Sequence, residues 1–236
     1  MQNYNLMLAG LRDLVSNPTP RIPVALCLDI SGSMCGEPIR ELNAGVQQYL
    51  TEMRSDDLTL YSVETAVVSF GDTAECAADF NTVDHLQVPE LQAGGLTDMG
   101  AGLTMALNLL DNRKTQYKTT GVDYYQPILV VMSDGNPNGD RAVLETAANH
   151  IRRLAEARRL TVVAVGIGPG ADMDMLARVS PRQKPVRLSG LQFREFFAWL
   201  SRSVASVSAS TPGDEPELDM EDLRALTAEP WPEEGL

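Results

Sequence analysis

Apolar residues run almost unbroken from Ile22 to Leu28, as a strand covered on both faces of a sheet requires. The period then changes. Ile39, Leu42, Val46, Tyr49, Leu50 and Met53 recur at helical spacing behind Pro38, at the favoured first helical position. Residues 59–70, rich in Val, Thr and Tyr, predict a second strand, and Gly71-Asp72 turns the chain into a third, antiparallel edge strand over 73–80. Leu103, Ala106, Leu107 and Leu110 mark the next helix, and Ile128 to Met132 a short buried strand. A helix facing inward through Leu144, Ala147, Ile151 and Leu154 follows, then a strand over Thr161 to Ile167. A short helix at 172–178, a strand at 186–188 and a last helix with Phe193, Phe196, Phe197, Leu200, Val204 and Val207 on one side complete the pattern. Strands alternating with helices predict an α/β fold: a doubly wound, mostly parallel six-stranded sheet with one antiparallel edge strand and helices on both faces.

Both ends depart from this alternation. In residues 1–20, Leu6, Met7, Leu8, Leu11, Leu14 and Val15 form a short helical pattern stopped by Asn17-Pro18 and Pro20, which reads as an N-terminal extension. The domain proper is expected over 21–208. Residues 209–236 turn to Ser, Pro, Gly and acids, the composition of a flexible tail. Leu218, Met220, Leu223, Leu226 and Trp231 interrupt the acidity, so the segment reads equally as a docking element.

Charge narrows the function classes. The net charge of the 236-residue chain is −13, and residues 214–236 hold nine acids against Arg224 alone, so this segment carries −8 and the remainder −5. No basic stripe remains to grip phosphates, which argues against nucleic acid and anionic membrane as partners. A local basic face formed by Arg152, Arg153, Arg158 and Arg159 is a solvated surface or a receiver for an acidic tail. No apolar run reaches the ~20 residues of a membrane span, and Met1-Gln-Asn-Tyr-Asn lacks the positive start of a secretory signal, so a cytoplasmic location is expected. Cys27, Cys35 and Cys76 with His85 and His150 make no zinc pattern.

Candidate chemistry lies where strands end. Asp29-Ile-Ser31-Gly-Ser33 offers a carboxylate and two hydroxyls at alternate residues after the first strand. Thr97, in Gly94-Gly95-Leu96-Thr97, adds a hydroxyl ahead of a helix, and Asp134, in Ser133-Asp134-Gly135, ends another buried strand. Ser and Gly also cap helices and make turns, so each piece alone has a plain structural reading. Together they offer only hard oxygens, which suit Mg²⁺, Mn²⁺ or Ca²⁺ rather than zinc. Acids at the C-terminal ends of two parallel strands meet where doubly wound sheets place ligands. Gly166-Ile-Gly168-Pro-Gly170-Ala171 formally fits a dinucleotide fingerprint but follows the fifth strand, contains Pro169 and lacks the acid expected about 20 residues on.

The set Asp29, Ser31, Ser33, Thr97 and Asp134 is similar to the metal-ion-dependent adhesion site of von Willebrand factor type A domains, over Arg21 to about Ser208. More narrowly, Gly36-Glu37-Pro38-Ile39, Gly121 to Pro127 and Leu191 to Ser201 resemble TerY-type bacterial proteins of tellurite-resistance and stress operons. The resemblance implies a non-enzymatic, metal-dependent interaction module. Ser31, Ser33 and Thr97 would hold a divalent cation, Mg²⁺ foremost, through hydroxyls, with Asp29 and Asp134 binding directly or through water. It further implies a protein partner that supplies an Asp or Glu to the metal, and association with a Ser/Thr kinase and a PP2C-type phosphatase in stress or phage-defence signalling.

Two alternatives stand beside it. A Mg²⁺-dependent phosphatase or phosphotransferase with Asp29 as nucleophile is disfavoured because Ser31 occupies the position where dehalogenase-type phosphatases need a second aspartate, and no phosphate-binding Gly-x-x-x-x-Gly-Lys loop is present. A self-assembling scaffold would use the acidic tail of one copy as metal ligand for another.

Overall fold

The computed structural model describes residues 14, 17–188, 192–210 and 218–226. Its centre is a six-stranded sheet of β1 (Ile22–Asp29), β2 (Val63–Phe70), β3 (Ala74–Thr82), β4 (Ile128–Ser133), β5 (Thr161–Ile167) and β6 (Val186–Leu188), in the order β3-β2-β1-β4-β5-β6. All neighbours are parallel except β2 and β3, which pair antiparallel as a hairpin. The sheet is therefore doubly wound, and its strand order reverses direction between β1 and β4.

Every residue of β1, β2, β4 and β5 is buried, because helices cover both faces. Successive side chains of β1 enter opposite cores: Val24, Leu26 and Leu28 join one, Ala25 and Cys27 the other. The first core is closed by α1 (Glu37–Arg54) and α6 (Phe193–Ser208), the second by α3 (Met99–Thr120), α4 (Arg141–Glu156) and α5 (Met173–Val179). α1 and α6 approach closely at Gly45, where a Cβ would meet the Phe197 ring at 2.5 Å. The aromatic stripe of α6 is core, with Phe193, Phe196 and Phe197 fully buried.

The sequence reading of a strand from residue 59 is corrected. Residues Asp57–Ser62 form a short helix, α2, because the Asp56 carboxylate accepts from the Leu58 and Thr59 amides and caps it. The strand begins only at Val63. The helix expected in the N-terminal extension lies outside the described residues except at Leu14, which is buried against Tyr117 and Val122.

The expectation of a flexible tail from residue 209 is also corrected for 218–226. A further helix, α7 (Met220–Leu226), follows Leu218, and both Leu218 and Leu223 are buried in the first core. The Trp199 indole N–H donates to the Asp219 carbonyl at 2.6 Å, fixing the segment to α6. Apolar residues spaced through the acidic stretch supply that contact.

At the N-terminal ends of the strands, Glu64 is fully buried and saturated. It accepts from Arg21 Nε at 3.0 Å, from Arg113 Nε at 2.6 Å and Nη2 at 2.7 Å, and from the Tyr117 hydroxyl. This network ties β1, β2 and α3 together at the edge opposite the candidate site. Among the described residues no helix is long and apolar enough to cross a membrane.

Candidate metal centre

The site lies at the crevice where the sheet order reverses, built on loops after β1 and β4 and ahead of α3. Parallel pairing sets Leu28 beside Met132, so the next residues, Asp29 and Ser133, are neighbours across the crevice. The Ser133 hydroxyl donates to Asp29 Oδ2 at 2.6 Å, while Asp29 Oδ1 accepts from the Ser31 amide at 2.8 Å. Asp29 is fully buried. Burial pushes its carboxyl above the usual range and the nearby Asp134 charge adds to this, while the Ser133 and Ser31 hydrogen bonds pull the other way.

Asp134 reaches in from β4's end. Its Oδ1 accepts from the Ser33 hydroxyl at 2.8 Å and the Ser31 hydroxyl at 3.4 Å, and the two serine oxygens lie 3.1 Å apart. Ser31 is buried, Asp134 partly exposed and Ser33 open to solvent, so the cluster has one wet side.

Thr97 is placed through its backbone. Its amide donates to Asn138 Oδ1 at 2.8 Å and its carbonyl accepts from the Asn138 amide at 3.1 Å, a reciprocal pair that joins the Thr97 loop to the Asp134 loop. Gly32 N donates to Gly95 O at 3.0 Å, and Gly94 N to Ile30 O at 2.7 Å, joining it to the serine loop. Asp72 braces the same loop by accepting from the Leu96 amide at 2.7 Å. Gly95 has φ 78°, and a Cβ there would lie 2.4 Å from the Asp72 carboxyl carbon, so only glycine fits this turn.

The structure thus brings Asp29, Ser31, Ser33 and Asp134 into one hydrogen-bonded cluster and locks the Thr97 loop to both sides of it. Sequence reasoning missed Ser133, Asn138 and Asp72 as holders of the site. Ser133 was legible only as a neighbour of Asp134; Asn138 sits in Asn136-Pro137-Asn138-Gly139, a turn string whose side-chain role emerges only in three dimensions. His85 lies away from the site, 3.1 Å from the Asp84 carboxylate.

The donor set fits a hard divalent cation. Two carboxylates and the hydroxyls give oxygen donors only, with fewer ligands than such an ion takes, leaving room for water or an external carboxylate. Among the described residues no group of three or more His, Cys, Asp or Glu side chains forms a metal cluster, which leaves hydroxyls essential to any cation bound here.

A sequence profile of the von Willebrand factor type A domain matches residues 24–189. The chain belongs to this family. The vWA chain is 25% identical over 143 residues to inter-alpha-trypsin inhibitor heavy chain H3 of Mesocricetus auratus, covering 59% of this chain and 16% of that protein. It thus spans about one sixth of this curated relative. Among solved structures, the vWF domain of the type V pili tip protein Mfa5 from Porphyromonas gingivalis superposes with a TM-score of 0.60 at 13% identity, covering 83% of this chain and 99% of that one. Proximal thread matrix protein 1 from the mussel byssus gives 0.56 at 18% identity, over 80% of this chain and 49% of that one. The vWA protein from Catenulispora acidiphila gives 0.55 at 18%, over 78% and 42%. At these identities the likeness is one of fold. vWA domains commonly mediate protein–protein interaction.

Proposed function

We propose that this vWA chain is a metal-dependent adaptor in which Asp29, Ser31, Ser33, Thr97 and Asp134 hold a divalent cation, Mg²⁺ foremost, and a partner protein completes the site with an Asp or Glu side chain. The observation that carries the reading is the convergence of the Ser31 and Ser33 hydroxyls on Asp134 Oδ1 beside a buried Asp29. The cation supplies a positive charge that a carboxylate can reach from solvent. Ser133 and the Ser31 amide fix Asp29, Asn138 fixes the Thr97 loop, and the exposure of Ser33 leaves an approach for the partner.

The role is non-enzymatic. Ser31 stands where a phosphatase would carry its second acid, and it is engaged with Ser33 and Asp134. The stretches that resemble TerY-type proteins support a place in stress or tellurite-resistance signalling with a Ser/Thr kinase and a PP2C-type phosphatase. The test is capture of partners by the tagged chain in Mg²⁺ or in EDTA, native against Asp29→Ala. A partner lost in EDTA and in the variant supports adhesion through the metal; one retained in both contradicts it.

A further inference from the structure

Of the ten asparagines in the chain, Asn138 is the one followed by glycine. A side-chain amide before glycine faces a backbone nitrogen that no neighbouring Cβ screens, which makes it the asparagine most open to attack by its own main chain. Both Asn138 and Gly139 are exposed. Among the described residues the Asn138 side chain is held through Oδ1 alone, by the Thr97 amide at 2.8 Å, and the Gly139 amide has no hydrogen-bond acceptor. The Thr97 N–H draws electron density from Cγ and stabilises the negative charge that develops on Oδ1 when a nucleophile adds there. The leaving side, Nδ2, is unencumbered.

Packing explains why the reactive glycine is there. A Cβ at Gly139 would lie 2.4 Å from Asp98 Oδ1 and 3.0 Å from Asp98 Cα. Asp98 is itself fixed, because its amide donates to the Gly71 carbonyl at 2.9 Å and its Oδ1 accepts from the Ala101 amide at 3.0 Å. The turn thus requires the residue that exposes Asn138 to attack. Asn136 is the contrast: it is exposed too, but it precedes Pro137, whose nitrogen carries no hydrogen and cannot attack. Asp134 also precedes a glycine, but a carboxylate is a poorer electrophile than an amide.

We propose that Asn138 is a deamidation site whose isoaspartyl product releases the Thr97 loop. The Gly139 nitrogen gives its proton to water or hydroxide and bonds to Asn138 Cγ. The Cγ–Nδ2 bond breaks, and the departing nitrogen takes up a proton and leaves as ammonia. Water then opens the resulting cyclic imide at one of its two carbonyls, giving aspartate or isoaspartate at position 138. No oxidant and no enzyme enters the sequence of steps.

Isoaspartate routes the main chain through Cβ and Cγ, which adds one carbon and roughly 1.5 Å of chain between positions 138 and 139. Asn138 clasps Thr97, and Gly139 abuts Asp98, the residue next to it. Both contacts cannot survive the longer link. The effect on a cation rests on the function proposed above: a released Thr97 loop no longer holds its hydroxyl for the ion, and affinity falls as the protein ages.

The test ages the full chain in warm, mildly alkaline buffer. Peptide mass spectrometry is expected to find a gain of about one mass unit at Asn138, as NH₂ gives way to OH, and none at Asn136. In the aged chain the Thr97 amide is expected to exchange its hydrogen about tenfold faster, and Mn²⁺ affinity to fall about tenfold. Isoaspartyl methyltransferase with S-adenosylmethionine returns isoaspartate to aspartate and is expected to reverse both changes, which general damage would not allow. An Asn138 that stays intact, or a converted chain whose Thr97 amide exchanges as before, overturns the proposal. A fresh chain that binds no Mn²⁺ overturns the function proposed above instead, and the mass and exchange readings still decide the modification.

Discussion

Ser133 Oγ lies 2.6 Å from Asp29 Oδ2, and this hydroxyl belongs to the residue immediately before Asp134. One dipeptide at the end of β4 therefore orients one carboxylate and supplies the other. Ser133→Ala leaves Asp29 free to rotate without removing any oxygen that faces solvent. Divalent-cation affinity is expected to fall about 10- to 100-fold, as when a ligand's supporting partner is removed, with the fold retained by circular dichroism.

Asp29 is buried and its carboxyl is pushed upward chiefly by that burial. A carboxyl whose folded-state pKa is raised favours the fold when protonated and loses that contribution as pH rises, so at neutral pH its charge costs stability. Asp29→Asn removes the charge and keeps an acceptor for the Ser31 amide. Its melting temperature in EDTA is expected to equal or exceed the native value, while any Mg²⁺-induced rise disappears. A melting temperature several degrees lower in EDTA would make Asp29 a structural residue.

Asn138 is the clamp between the Thr97 and Asp134 loops. Asn138→Ala is expected to weaken cation binding about tenfold while costing the fold only about 1 kcal/mol, the worth of the lost hydrogen bond. Thermal melts with and without Mg²⁺ separate the two effects.

At the other end of the sheet, Glu64→Gln leaves Arg21 and Arg113 buried beside a neutral amide. Removing one partner of a buried ionic network costs about 3–5 kcal/mol, measurable by urea denaturation. Val63 and Phe70 pair with Ile22 and Asp29, so Glu64 is about 20 Å from the site at 3.3 Å per strand residue. Cation affinity of the folded variant is expected to match the native chain.

Partial desolvation and the neighbouring Asp79 push the Cys76 thiol up to about 11. Only the thiolate attacks alkylating reagents, and at pH 8 about one thiol in a thousand is ionised at such a pKa. In a Cys35→Ser background, with Cys27 buried, iodoacetamide labelling of Cys76 is expected to accelerate about tenfold per pH unit from pH 8 to 10. A plateau below pH 9 would contradict the assignment.

The sheet was legible because buried parallel strands need unbroken apolar runs: β5 spans Thr161–Ile167 as read, and β1 extends the run Ile22 to Leu28 by Asp29 alone. α2 was not, because Thr59, Leu60 and Tyr61 suit a strand locally and only the Asp56 cap turns them into a helix. In the candidate site, residue types singled out Asp29, Ser31, Ser33 and Asp134 at or just after strand ends and Thr97 just ahead of a helix. Their supports did not announce themselves. Asn138 and Asp72 act through single hydrogen bonds to amides far along the chain, at Thr97 and Leu96, and turn residues with that role look like any others in one dimension. The docked 218–226 segment was ambiguous for a related reason: its two buried leucines are diluted by acids whose solvation alone would favour a free tail.

The central claim is that two carboxylates and three hydroxyls form one cation site. Titration of the native chain with Mn²⁺, followed by electron paramagnetic resonance, addresses it directly, because free and bound Mn²⁺ are distinguished without a partner. The account predicts one saturable site per chain, emptied by excess Mg²⁺ and absent in both Asp134→Ala and the Ser31→Ala/Ser33→Ala double variant. Binding that persists in these variants, or no saturable site in the native chain, would contradict it.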